Sequence, residues 1–356
     1  MKMKKTITLL LSLTLALYAV AQAPSNYYNS ANGLSGNQLK MALHNIIKGH
    51  TTISYSQIWN AFWSTDNKGD GIVWDMYSDV PGGTPAYVYH LGEDQCGNYH
   101  GEGDCYNREH SWPQSWFNSQ TTPRTDLHHI FATDGQVNHD RAAYPFGEVR
   151  SASSTFTNGS KLGPSKTPGY TGTVFEPIDE YKGDFARALM YMSVRYYTED
   201  GSWGSSDMTT KSEIKPWAIQ LLLRWNEQDP VSQKEIDRNN AIYNDYQHNR
   251  NPFVDHPEYA RMIWDPTWHV VEENQGTLHL FPNPIERGQT LHLSGNAHTF
   301  DAVAICDLCG RTLLKASGNA VGDFAVTLPA DFCRGCYIVK LMRNGSVVKY
   351  EKLMVK

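Results

Sequence analysis

The sequence lacks an excess of basic residues. It carries 31 Lys and Arg against 37 Asp and Glu, which gives a formal net charge of −6 at pH 7. Residues 24–275 are more acidic still, with about 19 basic and about 31 acidic side chains. A polyanion such as nucleic acid would therefore not be attracted by the net charge and would need a local basic patch.

A long apolar run is also lacking beyond the first residues, so no transmembrane helix is predicted there, and no internal repeat is found. At the N terminus, three lysines precede the apolar run 7–16, and small residues follow at Ala19, Ala21 and Ala23. This pattern predicts a signal peptide over residues 1–23, cleaved after Ala21 or Ala23. A membrane anchor is the alternative, but the run is shorter than the roughly 20 apolar residues that a span needs.

What the chain does contain is typical of a folded, exported protein of two domains. Its 356 residues are 40% hydrophobic and include 10 Trp and 20 Tyr, and this length is more than one compact domain usually takes. We predict a first domain over residues 24–271, a linker over 272–277 and a second domain over 278–356.

The first domain mixes helical patterns with loops, which predicts an α+β fold. Residues 39–49 have helical apolar spacing and end at a glycine. Residues 184–197 also have this spacing, with Asp184 expected as the N-cap, and residues 216–225 begin with a helix-compatible proline.

The second domain consists of short apolar runs separated by turn signals, which predicts a small all-β sandwich. The segment RNGS at residues 343–346 is a strong hairpin turn.

Two blocks of the first domain carry candidate chemistry: YNREHSWPQSWF at residues 106–117 and TDLHHIFATDGQVNHDRAAYPFGEV at residues 125–149. Glu109 and His110 would point to opposite faces of a strand, so both serve one site only where the strand ends. The following Trp112-Pro113 favours such an end. In the second block, Asp134 is predicted near a helix N-cap.

These residue types suit the hydrolysis of a phosphodiester. An imidazole such as that of His110 can take a proton from water near neutral pH. A carboxylate and an amide oxygen, such as those of Glu109 and Asn138, suffice to hold Mg²⁺, which keeps several of its waters. An arginine can stabilise the charge that grows on the phosphoryl oxygens.

The blocks NREHSWPQSWF, DLHHIFATDGQVNHDRAAYPFGEV and QHNRNPFVDHPEYA, in this order, resemble the bacterial endonuclease I family over nearly all of residues 27–266. The resemblance implies a secreted nuclease with the His-Me finger (ββα-metal) fold that cleaves DNA, and often RNA, with little sequence preference. It implies that His110 is the general base and that Glu109 and Asn138 ligate Mg²⁺, with Ca²⁺ or Mn²⁺ as substitutes. Products would carry 5′-phosphate and 3′-hydroxyl ends.

In this family an arginine also steadies the phosphate, and the motifs leave its identity open among Arg124, Arg141 and Arg108. Two rival functions stay open as well. One is a surface-attached binding protein with a degenerate nuclease domain. The other is a zinc-dependent phosphoesterase, whose candidate ligands are His110, His128, His129 and His139.

Several neighbouring residues are expected to be structural. We predict that His128 and His129 belong to the scaffold, as do Asp255 and His256. The aromatic residues Trp112, Trp116 and Phe117 are expected to belong to the hydrophobic core rather than to stack on nucleic-acid bases.

The six cysteines fall into two groups. Cys96 and Cys105 flank the loop before the first block, and in an exported protein we expect them to pair. Cys306, Cys309, Cys333 and Cys336 form two C-x-x-C pairs. Export favours disulfides there, whereas the spacing also suits zinc.

The tail resembles the C-terminal sorting domain of the type IX secretion system, through Pro282-Asn283-Pro284, Asp307 to Arg311 and the basic end at Lys349, Lys352 and Lys356. The resemblance implies that the secretion machinery is a partner, with export across both membranes of a Gram-negative cell to the surface or medium and removal of the tail as an option. A carbohydrate-binding sandwich is the rival interpretation, but the tail has no obvious aromatic platform. We expect a monomer.

Overall fold

The computed structural model describes residues 23–265, 279–294, 300–307, 311–320, 324–343 and 346–356. The chain divides into two compact units, residues 1–268 and 269–356, which we call the N-terminal and C-terminal units. The predicted signal peptide up to residue 22, the linker over 272–277 and Cys309 lie outside the described residues.

The N-terminal unit combines helices and strands, as its α+β prediction requires. Its α-helices are α1 Gly36–Ile47, α2 Ile58–Thr65, α3 Thr121–Arg124, α4 Gly135–Arg141, α5 Lys182–Arg195, α6 Pro216–Gln228, α7 Gln233–Ala241, α8 Pro252–Asp255 and α9 Tyr259–Trp264. Its strands are β1 Asn67–Gly69, β2 Ile72–Val73, β3 Tyr106–His110, β4 Ile130–Asp134, β5 Ser154–Thr155, β6 Lys161–Pro164, β7 Thr173–Glu176, β8 Thr209–Thr210 and β9 Glu213–Ile214.

Helix α5 forms the centre of this unit, because every one of its residues is buried. It lies in one apolar cluster with residues of α1 and α6, including Leu43 and Leu222. The predicted N-cap Asp184 is wrong: a 3-10 turn over Asp179–Tyr181 runs directly into α5, so Asp184 lies within the first turn.

The other two predicted helices are present with shifted ends. Helix α1 begins three residues before its apolar pattern and is followed by Gly49, whose φ of +72° is the left-handed conformation that glycine adopts easily. Helix α6 has Pro216 at its first position and continues for three residues past the predicted end.

The part of the fold that matters most for chemistry is a two-stranded antiparallel sheet followed by a helix. Strands β3 and β4 pair with Tyr106 opposite Asp134 and His110 opposite Ile130. Helix α4 follows β4 directly, and Asp134 caps it by accepting a hydrogen bond from the backbone N–H of Val137 at 2.8 Å, as predicted. The predicted pair Cys96–Cys105 is also disulfide-bonded, with its Cα atoms 5.7 Å apart.

Every described element of the C-terminal unit is a strand. They are β10 His279–Phe281, β11 Thr290–Ser294, β12 Phe300–Cys306, β13 Thr312–Ala320, β14 Phe324–Thr327, β15 Gly335–Arg343 and β16 Ser346–Val355. One sheet has the order β10-β11-β14 and the other β13-β12-β15-β16. Side chains from both sheets share one apolar cluster; the sandwich arrangement itself stays a prediction.

Several features of the predicted tail can be located. Strands β15 and β16 form an antiparallel hairpin in which Arg343 lies opposite Ser346, as the turn signal predicted. The side chain of Asn283 donates to the carbonyl oxygen of Lys352 and accepts from the N–H of Met354. Cys306, Cys333 and Cys336 are free thiols.

None of the described helices combines the length and the apolar content that crossing a membrane would require.

Candidate active site

Strand β3 carries Glu109 and His110 at its C-terminal end. Its alternation puts Asn107 and Glu109 on one face and Arg108 and His110 on the other. The strand ends at His110, as the sequence predicted. Glu109 and His110 therefore both stand at the end of β3.

His110 is buried and held by a backbone carbonyl. Its Nε2 lies 3.0 Å from the carbonyl oxygen of Arg124, so this nitrogen carries the proton and donates it. Nδ1 is then the basic nitrogen, and the amide nitrogen of Gln114 lies 3.4 Å from it, near the limit for a hydrogen bond. Burial, reinforced by the neighbouring His129, lowers the pKa of His110 to about 3. The imidazole is thus neutral at pH 7, with Nδ1 as its unprotonated nitrogen.

Glu109 is also buried, with 2% of its surface exposed. Its Oε1 accepts hydrogen bonds from the hydroxyl of Tyr77 at 2.9 Å and from Nη1 of Arg141 at 3.0 Å. Burial raises the pKa of Glu109, and the charge of Arg141 and the bond from Tyr77 act against this rise. Both of these hydrogen bonds fall on Oε1, so Oε2 is the carboxylate oxygen that neither Tyr77 nor Arg141 binds.

Arg141, a candidate for contact with the phosphate, is only 1% exposed. Besides its ion pair with Glu109, it donates to the carbonyl oxygens of His110 and Ser111 at 3.0 and 2.8 Å. Its guanidinium therefore holds the end of β3 and the Glu109 carboxylate, and it is directed into the protein.

Asn138 approaches the Glu109 face of β3 from helix α4. Its amide nitrogen donates to the side-chain oxygen of Asn107 at 2.6 Å, and Asn107 shares a strand face with Glu109. Arg141, three residues further along α4, reaches Glu109 from the same helix face. The amide oxygen of Asn138 is left as an acceptor on this face.

The donor set fits a hard divalent cation. Oε2 of Glu109 and the amide oxygen of Asn138 are one carboxylate and one neutral oxygen, which matches the few protein ligands that Mg²⁺ requires. Within the described residues, no group of three or more His, Cys, Asp or Glu side chains could hold a metal ion. A site built only from such side chains, as zinc prefers, is not found in that part of the chain.

The suggested zinc ligands are occupied elsewhere. Nε2 of His128 and Nε2 of His129 lie 3.2 and 2.7 Å from the carbonyl oxygens of Asn249 and Pro123. His139 is exposed and contacts the ring of Tyr99. The described structure therefore does not bring these four histidines together as one metal site.

Two further arginines stand near His110, on either side of an aromatic ring that the sequence did not reveal. The guanidinium carbons of Arg108 and Arg124 lie 3.7 and 4.1 Å from the centroid of Tyr55. Nε of Arg124 donates to the side-chain oxygen of Gln114 at 3.1 Å. Gln114 thus connects Arg124 to the basic nitrogen of His110.

A comparison with known protein families decides what this constellation belongs to. The sequence model described as Endonuclease I matches residues 35–258, a range that includes both blocks and α5. The chain belongs to the endonuclease I family.

Two relatives of this endonuclease I chain are similar over most of their length. It is 43% identical over 250 residues to "Extracellular ribonuclease" of Bacillus amyloliquefaciens, covering 67% of this chain and 78% of the relative. It is 40% identical over 262 residues to "Extracellular ribonuclease" of Bacillus subtilis (strain 168), covering 71% and 83%.

A solved structure of Pseudomonas fluorescens alkylpurine DNA glycosylase AlkC, bound to DNA containing an abasic site analog, aligns with 51% of this chain and 68% of its own. The TM-score is 0.15 and the identity 13%. These values are too low to indicate a shared fold.

Around the site of this endonuclease I chain, the expected scaffold residues are buried in polar networks. Asp126 accepts hydrogen bonds from the hydroxyls of Tyr191 and Tyr196 and from the amide of Gln247. His128 and His129 follow it and bind backbone carbonyls, which agrees with a structural role.

The other predicted scaffold and core residues follow the same pattern. Asp255 binds Arg250 through two hydrogen bonds of 2.7 Å and accepts from Tyr28. Trp112, Trp116 and Phe117 are buried in the main apolar cluster and are core, as predicted.

Sequence reasoning missed four residues that contact the candidate set: Tyr55, Tyr77, Asn107 and Gln114. The period of two along β3 is a signal that could have found Asn107, because it shares the face of Glu109. Tyr77 meets Glu109 across 32 residues of sequence, and Tyr55 meets Arg108 across 53. Such contacts leave no local pattern.

Proposed function

We propose that this protein is a secreted, metal-dependent endonuclease of the His-Me finger (ββα-metal) type that hydrolyses phosphodiester bonds of DNA and RNA. The observation that carries the proposal is His110. It is neutral, is fixed through Nε2 on the carbonyl oxygen of Arg124 and stands beside the buried carboxylate of Glu109. The β3-β4-α4 arrangement, in which the helix supplies Asn138, supports the fold assignment.

Nδ1 of His110 takes the proton of the attacking water, and the hydrogen bond from Nε2 to the Arg124 carbonyl stabilises the imidazolium that forms. Glu109 and Asn138 would hold Mg²⁺, which supplies positive charge for the leaving 3′ oxygen, and Ca²⁺ or Mn²⁺ would be its substitutes. Products carry 5′-phosphate and 3′-hydroxyl ends.

Arg124 is the arginine that steadies the scissile phosphate. Its backbone carbonyl binds His110 and its side chain reaches Gln114 beside Nδ1, so its guanidinium lies near the place where water is activated. Arg141 has a different task, because Nη1 and Nη2 of its buried guanidinium donate to Glu109 and to two carbonyl oxygens. It positions the metal ligand and the strand end.

Export and sorting complete the proposal. The signal-peptide pattern and the extracellular nature stated in the names of the two relatives support secretion. The C-terminal unit would serve as a type IX sorting domain and bind the secretion machinery, placing the enzyme on the cell surface or in the medium. Its tail motif and all-strand composition support this role.

The test is cleavage of supercoiled plasmid and of a defined RNA by the mature protein, with magnesium, with zinc and with EDTA. Wild type should cleave with magnesium and fail with EDTA. His110→Ala should lower the rate by about 10²–10⁴-fold with an unchanged circular dichroism spectrum. His139→Ala is the matched control, because His139 is exposed on α4 and should keep full activity.

Other outcomes would replace the proposal. Binding of nucleic acid without cleavage under any metal would favour a degenerate nuclease domain on a binding protein. Cleavage with zinc alone would mean that the metal site is wrongly assigned. Full activity of His110→Ala would remove the proposed base.

A further inference from the structure

The feature that the proposed mechanism does not use is Arg108. It lies on β3, on the strand face of His110, and its guanidinium carbon is 3.7 Å from the ring centroid of Tyr55 and 4.3 Å from that of Trp59. Two rings so close to one planar group must cover its two faces, which leaves the edge with its N–H donors for a ligand.

Tyr55 in turn separates Arg108 from Arg124. Two guanidinium carbons within 4.1 Å of one ring centroid cannot share a face of that ring, so the ring lies between them. A single phosphate cannot occupy the space that the ring fills. Each guanidinium therefore presents its edge to a different position along a bound strand.

Neither arginine has a carboxylate partner among the described residues. Arg108 donates through Nη1 to the carbonyl oxygen of Tyr55 at 2.9 Å, and Arg124 donates to Gln114. Buried arginines elsewhere in the unit form ion pairs, as Arg187 does with Glu235 and Arg238 with Asp66. Two adjacent cations without a protein anion, each with free N–H donors, suit an anionic ligand with more than one charge.

The guanidinium groups of Arg108 and Arg124 both contact the ring of Tyr55, and two positive charges this close repel each other. This repulsion is a cost that the bound anion would remove. The two arginines also form a local basic patch, of the kind that an acidic protein needs in order to bind nucleic acid.

We propose that Arg108, stacked between Tyr55 and Trp59, binds a second phosphate of the substrate strand, next to the scissile phosphate at Arg124. This inference rests on the proposed function and adds a second contact with the substrate strand beside the scissile phosphate. A dinucleotide has one phosphate and occupies only the Arg124 position. Tyr55 is a positioning residue, since it sets the separation of the two guanidinium groups.

The experiment compares two substrates in each variant. One is a dinucleotide with a single internal phosphate, and the other is the same dinucleotide extended by one phosphodiester-linked nucleoside on each side. Wild type should cleave the extended substrate with a kcat/KM about 10- to 100-fold higher. In Arg108→Gln this ratio should fall close to one, with the loss in KM and with the dinucleotide rate unchanged.

Two further variants sharpen the comparison. Arg108→Lys keeps the charge but loses the planar fork, so it should recover only part of the ratio. Arg150→Gln is the matched control, because Arg150 is exposed, forms no ion pair among the described residues and donates to the carbonyl oxygen of Ser165. It should keep the wild-type ratio.

A binding measurement tests this inference independently of the proposed function. In EDTA, the affinity for a labelled single-stranded oligonucleotide is measured against salt. Arg108→Gln should reduce the slope of log K against log salt by about 0.7, the value for one phosphate contact on a single strand. This loss in a protein that never cleaves would refute the proposed function and retain the second phosphate site.

Two outcomes would overturn the inference while leaving the nuclease function standing. One is that Arg108→Gln keeps the wild-type preference for the extended substrate. The other is that Arg108→Gln lowers kcat/KM equally on both substrates, which would indicate a structural role only.

Discussion

The interiors of the two units differ in their content of buried polar and charged side chains. In the N-terminal unit, buried polar and charged side chains run from Lys40 to Asn251, whereas the described part of the C-terminal unit has none among its buried residues. Its core is an apolar cluster shared by two sheets. Burying an ionisable group costs free energy unless it is paired and hydrogen-bonded. The N-terminal unit, which buries such groups, is also the unit that contains the candidate site.

The buried polar groups are used to position that site. Arg238 pairs with Asp66 and donates to the carbonyl oxygens of Leu127 and Ile130, which fixes the start of β4. Asp134, at the end of β4, accepts from Tyr89, from Gly103 and from the first turn of α4. The N-terminal end of α4, the helix that carries Asn138, is therefore held by hydrogen bonds from several parts of the chain. Apolar contacts alone, which are not directional, would not fix the orientation of this helix so closely.

The largest expected effect comes from breaking the buried ion pair between Arg141 and Glu109. Arg141→Met leaves Glu109 buried without its partner and removes the donors to two carbonyl oxygens. We expect a loss of about 3–5 kcal/mol in the free energy of unfolding and a fall in cleavage rate of about 10²-fold or more. Denaturant unfolding and plasmid cleavage would measure the two losses.

The matched change in the C-terminal unit is Arg311→Met. Arg311 pairs with Asp307 at 3.1 Å, but its side chain is 77% exposed, and such pairs contribute only about 0–1 kcal/mol. If both substitutions had the same small effect, the contrast between the two interiors would have no energetic meaning.

Acid should distinguish the units next. Burial lowers the pKa of His128 and of His129 to about 4, whereas an unfolded histidine titrates near 6.5. The unfolded chain therefore binds protons first as the pH falls, so the stability that these neutral histidines contribute is lost between about pH 6.5 and 4. At pH 5 the loss is about 2 kcal/mol per histidine.

Calorimetry between pH 7 and 5 would follow both units. We expect the transition of the N-terminal unit to move to lower temperature, while the described part of the C-terminal unit has no buried histidine and should respond less. An equal shift of both transitions would contradict this assignment.

A core substitution in the C-terminal unit should have a smaller effect on the molecule and none on cleavage. Ile305 is fully buried on β12, and Ile305→Ala should destabilise its own unit by about 2–5 kcal/mol. Cleavage by the N-terminal unit should stay within about twofold of wild type, because Ile305 belongs to a separate apolar cluster. Leu189→Ala in α5 is the counterpart, and it should lower the stability of the N-terminal unit instead.

The smallest expected effect is that of removing the C-terminal unit. A chain ending at residue 268 keeps the whole family match and every candidate catalytic and metal-binding residue. Its kcat/KM on plasmid should therefore equal that of the full chain within about twofold. A large loss would mean that the C-terminal unit contributes to catalysis and not only to export.

Local signals in the sequence predicted much of the N-terminal unit, because capping and periodicity act between residues a few positions apart. The proline after His110 indicated the end of β3, and Asp134 was recognised as a cap from its place before the helix. Asp184 was misjudged for the same local reason, since nothing in its neighbourhood revealed that a 3-10 turn continues into α5.

By itself, the sequence determined the family, the candidate base and the two candidate metal ligands, because these residues lie in contiguous blocks whose order and spacing are characteristic. Only the tertiary structure distinguishes the surroundings of the arginines: Arg141 is turned inward onto Glu109, whereas Arg108 and Arg124 contact Tyr55 and have no carboxylate partners among the described residues. The physical reason is that burial and pairing depend on residues 30 or more positions away, which the fold brings together and no local pattern records.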